Sequence, residues 1–174
     1  SIALQYALDY PEEVKGLALM TVAMRPKDLK PELFANRLRA AEDPATHEGW
    51  INTMREVMQH IDPAFRDELL GWHRKVGPRS QHDDLMAMEQ FDVRERIGAL
   101  KPRLLLINGT ADDNVYFAHA LKLAAAMGQS GRPVELVPLV DQTHMVSAPN
   151  AASAVSLRMA AHFRRHLHGP PCSP

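Results

Sequence analysis

One cysteine, Cys172, is all the thiol chemistry the 174 residues hold. An internal disulfide framework is therefore excluded and a reducing compartment fits, with the thiol read as part of an incidental tail rather than as a nucleophile. Charge of one sign is equally lacking. Twenty Lys and Arg stand against 21 Asp and Glu, which leaves no electrostatic footprint for nucleic acid or an anionic membrane and points to neutral small molecules or short peptides as partners. No apolar run approaches the length of a membrane span, and no basic segment followed by an apolar core marks a secretory leader; a cytoplasmic protein is expected. Gly-x-Ser-x-Gly, the strand-to-helix turn that presents a serine nucleophile, occurs nowhere. Nor is there an initiator methionine: Ser1 begins inside an apolar amphipathic stretch, as expected of a piece of something longer.

What is present is the composition of a globular domain, 45% hydrophobic and 24% charged, enough for one domain with a core of its own. Ile2, Ala3, Leu4, Tyr6, Ala7 and Leu8 predict a buried helix, apolar nearly all round, which Pro11 stops. Val14 to Val22 is a continuous β-compatible run, the pattern of a parallel strand covered on both faces. From there to Gln90 the texture turns helical. Pro31 is expected to open a helix carrying Leu33, Phe34 and Leu38, and Thr46 to cap a second carrying Trp50, Ile51, Met54, Val57 and Met58. Asp62-Pro63 opens a third, Gly77-Pro78 ends it, and Ser80 precedes a fourth. This helical insertion, residues 24–90, far exceeds the usual connection of a few residues, and insertions of that size carry function. Beyond it, Asp92 is expected to cap a short helix from Val93 to Leu100. Strands are predicted from Arg103 to Asn108 and Val134 to Leu139, and helices from Phe117 to Met127 and Ala151 to about Leu167. Strand and helix in alternation imply an α/β fold with parallel strands and right-handed crossovers. The tail, residues 169–174, is expected to be disordered.

In open α/β sheets, functional side chains emerge beyond the carboxyl ends of strands. Asp112 follows the Arg103–Asn108 run and His144 follows Val134–Leu139, so the two loops are placed to bring a carboxylate to an imidazole. A carboxylate in that position fixes the tautomer and steadies the imidazolium that forms when the other nitrogen takes a proton. Taken alone, Gly109-Thr-Ala-Asp-Asp-Asn114 is also plain turn chemistry; the joint placement after two consecutive strands favours the functional reading. Trp50, Met54 and Met58, with Trp72, Met86 and Met88, either line an apolar substrate pocket or form the helical segment's own core. His162 and His166 have metal-ligand spacing on the last helix, but no carboxylate or cysteine cluster joins them. They read as a solvated basic helix end beside Arg164 and Arg165, and no metal is expected.

These segments resemble the C-terminal part of the α/β-hydrolase superfamily. Ser1-Ile-Ala-Leu-Gln-Tyr-Ala-Leu-Asp-Tyr-Pro-Glu-Glu-Val-Lys-Gly-Leu-Ala-Leu19 is similar to the helix after the nucleophile elbow and the strand behind that helix. In that family the elbow serine precedes the Tyr-Pro or His-Pro step by about fourteen residues, so the resemblance puts the nucleophile and the oxyanion donors upstream of Ser1. Gly109-Thr-Ala-Asp-Asp-Asn-Val115 resembles the acid loop of prolyl-oligopeptidase-type serine peptidases, which implies the triad acid at Asp112 and a substrate-carbonyl contact at Asn114. Asp141-Gln-Thr-His144 resembles their histidine loop, with Met145 where the family commonly has glycine. The insertion, and Phe91-Asp-Val-Arg-Glu-Arg-Ile97 after it, look like the cap of capped esterases and lactonases. The resemblance implies a serine hydrolase cleaving an ester, lactone or amide through an acyl-enzyme, with His144 as general base and acid and Asp112 as its orienting carboxylate. It implies no metal or organic cofactor, and an N-terminal half of the same fold as the missing partner of these residues, which alone are expected to be inactive. The alternatives are a serine peptidase of the prolyl-oligopeptidase type and a noncatalytic binding module using the cap pocket.

Overall fold

Leu104, Leu105, Leu106 and Ile107 are consecutive and all buried, and they alternate between the two faces of a sheet: Leu104 and Leu106 join one apolar cluster, Leu105 and Ile107 another. They form the middle of β2 (Arg103–Gly109), the central strand of the three found among the described residues. In this computed structural model residues 1–29, 35, 38–39, 41–59, 61–144, 146 and 149–167 are described. Most of the helix expected to open at Pro31, with Leu33 and Phe34, and the expected disordered tail, residues 169–174, lie outside the described residues. The chain divides into two units, Ser1–Leu29 with Phe91–Pro174, and Lys30–Gln90.

The first unit is an α/β sandwich. Helix α1 (Ile2–Asp9) leads to β1 (Gly16–Met20), which pairs in parallel with β2, with Leu17 opposite Leu104 and Leu19 opposite Leu106. Strand β3 (Val134–Leu139) lies on the other side of β2, also parallel. Parallel neighbours need a crossover, and helix α4 (Phe117–Gln129) supplies the one between β2 and β3. Leu4 and Leu8 of α1 and Leu123 and Met127 of α4 pack on one face of the sheet with Val93, Ile97 and Leu100. Val155 and Met159 of α5 (Pro149–Leu167) cover the other. Each fully buried side chain of this size contributes about 1.5–3 kcal/mol by leaving water.

The fold of this unit corrects three expectations. Helix α1 is not buried all round: Leu4, Ala7 and Leu8 meet the sheet, but Ile2 is 88% exposed and Tyr6 and Tyr10 are half exposed, because packed structure touches only one of its sides. The two tyrosines instead pack on each other, and the Tyr6 hydroxyl donates to Glu13. The Val93–Leu100 segment is not an α-helix. The Asp92 carboxylate accepts from the Arg94 backbone N–H and guanidinium, and successive three-residue turns lead on from there, ending in the 3-10 turn Ile97–Ala99. His162 is not solvated but 2% exposed, because α5 turns that side of itself onto the sheet.

The second unit is helical. Its helix α2 (Pro44–Val57) is capped not by Thr46 but by Asp43, whose carboxylate accepts from the Ala45 N–H and the Thr46 hydroxyl. Asp43-Pro44 is the same cap-then-proline pattern as Asp62-Pro63, which opens α3 (Pro63–Gln90) with the Asp62 carboxylate accepting from the Phe65 N–H. Gly77 breaks α3 in the middle: its φ of 77° is open to glycine, and Pro78 comes next. Helices α2 and α3 pack through the fully buried Ile51 and Leu70 and are tied by ion pairs from Arg74 to Glu48 and from Arg55 to Asp67.

His162 docks α5 with one defined tautomer. Its Nε2–H donates to the Arg103 carbonyl at 3.1 Å, which leaves Nδ1 buried without a hydrogen-bond partner. Burial first, then the adjacent His166, holds its pKa below the ordinary histidine value. The unfolded chain therefore binds this proton more readily than the folded one. Stability from neutral His162 is complete above about pH 6.5 and is lost as pH falls through the depressed folded value. The melting temperature, tracked by circular dichroism, should thus fall more steeply below that pH for the native chain than for His162→Gln, which keeps a donor to Arg103 but cannot be protonated. Parallel profiles would refute this role.

Candidate active site

Strand β2 ends in Asn108 and Gly109, and both shape the loop that leaves it. Asn108 is fully buried, and its side-chain amide donates to the carbonyls of Gly109 and Val115 at 3.0 and 3.2 Å, pinning the ends of that loop to each other. Gly109 lies against the loop leaving β3. A Cβ there would stand 2.1 Å from the Gln142 carbonyl oxygen, inside any permitted contact. The two loops are then stitched: the Thr110 N–H donates to the Leu139 carbonyl, the Ala111 N–H to the Gln142 carbonyl, and the Asp141 N–H to the Thr110 hydroxyl. Asp141 sits at φ 58°, a left-handed conformation that aspartate tolerates better than most residues.

Asp112 and His144 meet in this stitched frame. The Asp112 side chain is fully buried, and its Oδ1 accepts the backbone N–H groups of Asn114 and Val115 at 2.9 and 2.8 Å. Its Oδ2 accepts from His144 Nδ1 at 3.1 Å. A carboxylate can only accept in its ionised form, so Nδ1 carries the hydrogen and the lone pair lies on Nε2. The imidazole is about one-third exposed. The arrangement is an imidazole with a fixed tautomer, held from behind by a buried carboxylate, with the lone pair of Nε2 on the opposite side of the ring.

The other sequence candidates fall into two places. Asn114 lies on the acid loop with Asp112, its side chain exposed and its backbone N–H bound to the Asp112 carboxylate. Trp50, Met54 and Met58 belong to the helical unit, at its α2 helix and the turn after it. All three are half-buried, and Trp50 packs between His47 and His73. His162 and His166 touch edge to face at 4.6 Å between ring centroids. Among the described residues no group of three or more His, Cys, Asp and Glu side chains could hold a metal ion. Among those residues, too, no helix is long and apolar enough to cross a membrane. Sequence reasoning missed Asn108 and the constraint at Gly109. The available signal was one amide side chain closing the apolar run Leu104–Ile107.

The prolyl oligopeptidase family model matches residues 45–170. Dipeptidyl peptidase 8 of Mus musculus and that of Homo sapiens are each 29% identical over 65 residues, 37% of this chain and 7% of theirs. The match thus spans less than a tenth of the length of these relatives. An enol-lactonase from Burkholderia xenovorans LB400 is similar in structure over 93% of this chain and 61% of its own, with a TM-score of 0.67 at 20% identity. A thermophilic esterase from Thermogutta terrifontis is similar over 94% and 61%, with a TM-score of 0.66 at 20% identity. At such identities the likeness is one of fold.

The approach at Gly109 makes a direct prediction. Gly109→Ala should cost about 1–3 kcal/mol in urea unfolding, as overpacking does, and should remove the downfield His144 Nδ1–H resonance that the bond to Asp112 is expected to give in proton NMR of the native chain. A native unfolding curve with that resonance intact would show that the loops do not need the contact.

Proposed function

Because the chain belongs to the prolyl oligopeptidase family and has the α/β-hydrolase fold, we propose that it carries the acid and base of a serine hydrolase working through an acyl-enzyme. The observation that carries this reading is the hydrogen bond from His144 Nδ1 to the buried Asp112 Oδ2, which leaves Nε2 free to take a proton. In the proposed reaction Nε2 removes the proton of a serine hydroxyl as it attacks the substrate carbonyl. The imidazolium returns that proton to the leaving group, and a water repeats the cycle to release the acid. Asp112 keeps its hold on the imidazole throughout, itself held by two backbone N–H groups. The serine is proposed to come from a Gly-x-Ser-x-Gly turn upstream of Ser1, with the oxyanion donors, since no such motif occurs in the 174 residues. Asn114 is proposed to contact a substrate carbonyl, and Trp50, Met54 and Met58 to offer apolar surface to the substrate.

Ester, lactone and amide bonds all yield to this chemistry. The family match and the likeness to dipeptidyl peptidase 8 favour an amide in a short peptide. In the protein that includes the upstream segment, a fluorophosphonate probe should label one serine, and His144→Ala should abolish labelling. Asp112→Asn should lower kcat by about 10⁴, because the amide holds the wrong tautomer. Turnover of aminoacyl amides above short-chain esters would establish the peptidase form; the reverse preference would establish an esterase or lactonase. A folded protein that no such probe labels would leave a noncatalytic binding module and sink the enzymatic reading.

A further inference from the structure

On the first half of α3, Phe65, Leu69, Trp72 and Val76 recur at steps of four, three and four, and so form one stripe along the helix. Phe65, Trp72 and Val76 are 54%, 55% and 57% exposed, and Leu69 is half-buried. A different side of the same helix is already covered. Leu70 is fully buried, and Asp67 and Arg74 reach Arg55 and Glu48 of α2. Helix α2 therefore takes one face of α3 and leaves the stripe in water. Single exposed apolar residues need no explanation, but four in register do.

The charges along the stripe select its occupant. Glu68 and Lys75 lie on one flank, two turns apart, and neither has an ion-pair partner among the described residues; the Lys75 ammonium rests over the Trp72 ring at 5.0 Å. A second α3 laid against the first in the opposite direction sets Phe65 on Val76 and Trp72 on Leu69, large against small. The same arrangement brings each Glu68 to the Lys75 of the other copy, twice by symmetry. A parallel copy would instead set Trp72 on Trp72 and Glu68 beside His73, leaving Lys75 without its acidic partner.

We propose that this stripe is a self-association surface, on which two copies of the protein pair their α3 helices antiparallel about a two-fold axis passing between Leu69 and Trp72. One helix face buries less than the roughly 1,600 Å² of a standard stable interface, so the pair is dissociable and depends on concentration. Exposed α1 side chains and the edge of β1 that pairs with no strand among the described residues are other adhesive features, but association through them would be blind to the charge at positions 68 and 75.

Sedimentation velocity over a range of concentrations tests the proposal. The native protein should show a monomer–dimer equilibrium. Glu68→Lys, or Lys75→Glu, should weaken it about tenfold by turning two attractions into two repulsions, and the double exchange should restore it. Trp72→Lys should abolish it, with circular dichroism confirming that each variant keeps its helices. A native protein that stays monomeric throughout overturns the proposal. So does association that the single charge variants leave unchanged. So does a monomer whose Trp72 is shielded from acrylamide quenching, since another part of the same chain would then cover the stripe.

Discussion

The approach of the Gln142 carbonyl to the bare Cα of Gly109 is the contact on which the Asp112–His144 pair depends. A hydrogen bond to a charged group contributes about 1.5–3 kcal/mol, which is too little to order two loops by itself against the entropy of their backbones. Here the loops are ordered first. Backbone bonds from Thr110 and Ala111 and the Asp141 bond to the Thr110 hydroxyl bring the two strand ends into one frame. The imidazole then meets a carboxylate already held by the N–H groups of Asn114 and Val115. Order of this kind is pre-organisation: the carboxylate that holds the imidazole is itself already fixed by the backbone.

Much of the frame was legible because its signals are local. The run Arg103–Asn108 reads as a strand from its apolar residues and its bounds, and Asp62-Pro63 reads as a helix start. Asp112 and His144 were legible because position after a strand, rather than residue type, marked them. What escaped reading was non-local. Nothing in the sequence around Gly109 names Gln142 as its neighbour, since the contact arises from strand order and register. His162 was read as a helix-end histidine among arginines, yet α5 buries it; the side a helix turns to a sheet is set by what waits there. Thr46 lost the cap to Asp43 because a proline at the first helical position is a stronger boundary than a hydroxyl two residues later. Exposure on α1 escaped for the opposite reason, since an apolar pattern states what a helix can bury and not how many surfaces meet it.

The chain that leaves the α/β unit after β1 and the chain that returns before β2 are clasped to each other within that unit. The Val93 N–H donates to the Met24 carbonyl at 3.0 Å, so the strand-side ends of the intervening chain are held to each other within the α/β unit. A segment closed in this way transmits little of its own length. Doubling a closed loop adds only about 0.6 kcal/mol of entropy, and the β1–β2 register, set by Leu17, Leu19, Leu104 and Leu106, lies behind the clasp. The helical unit can therefore lengthen, shorten or be exchanged in the course of divergence while the acid and base loops keep their geometry. Changes in the helical unit and changes in the paired loops can arise independently of each other within one chain.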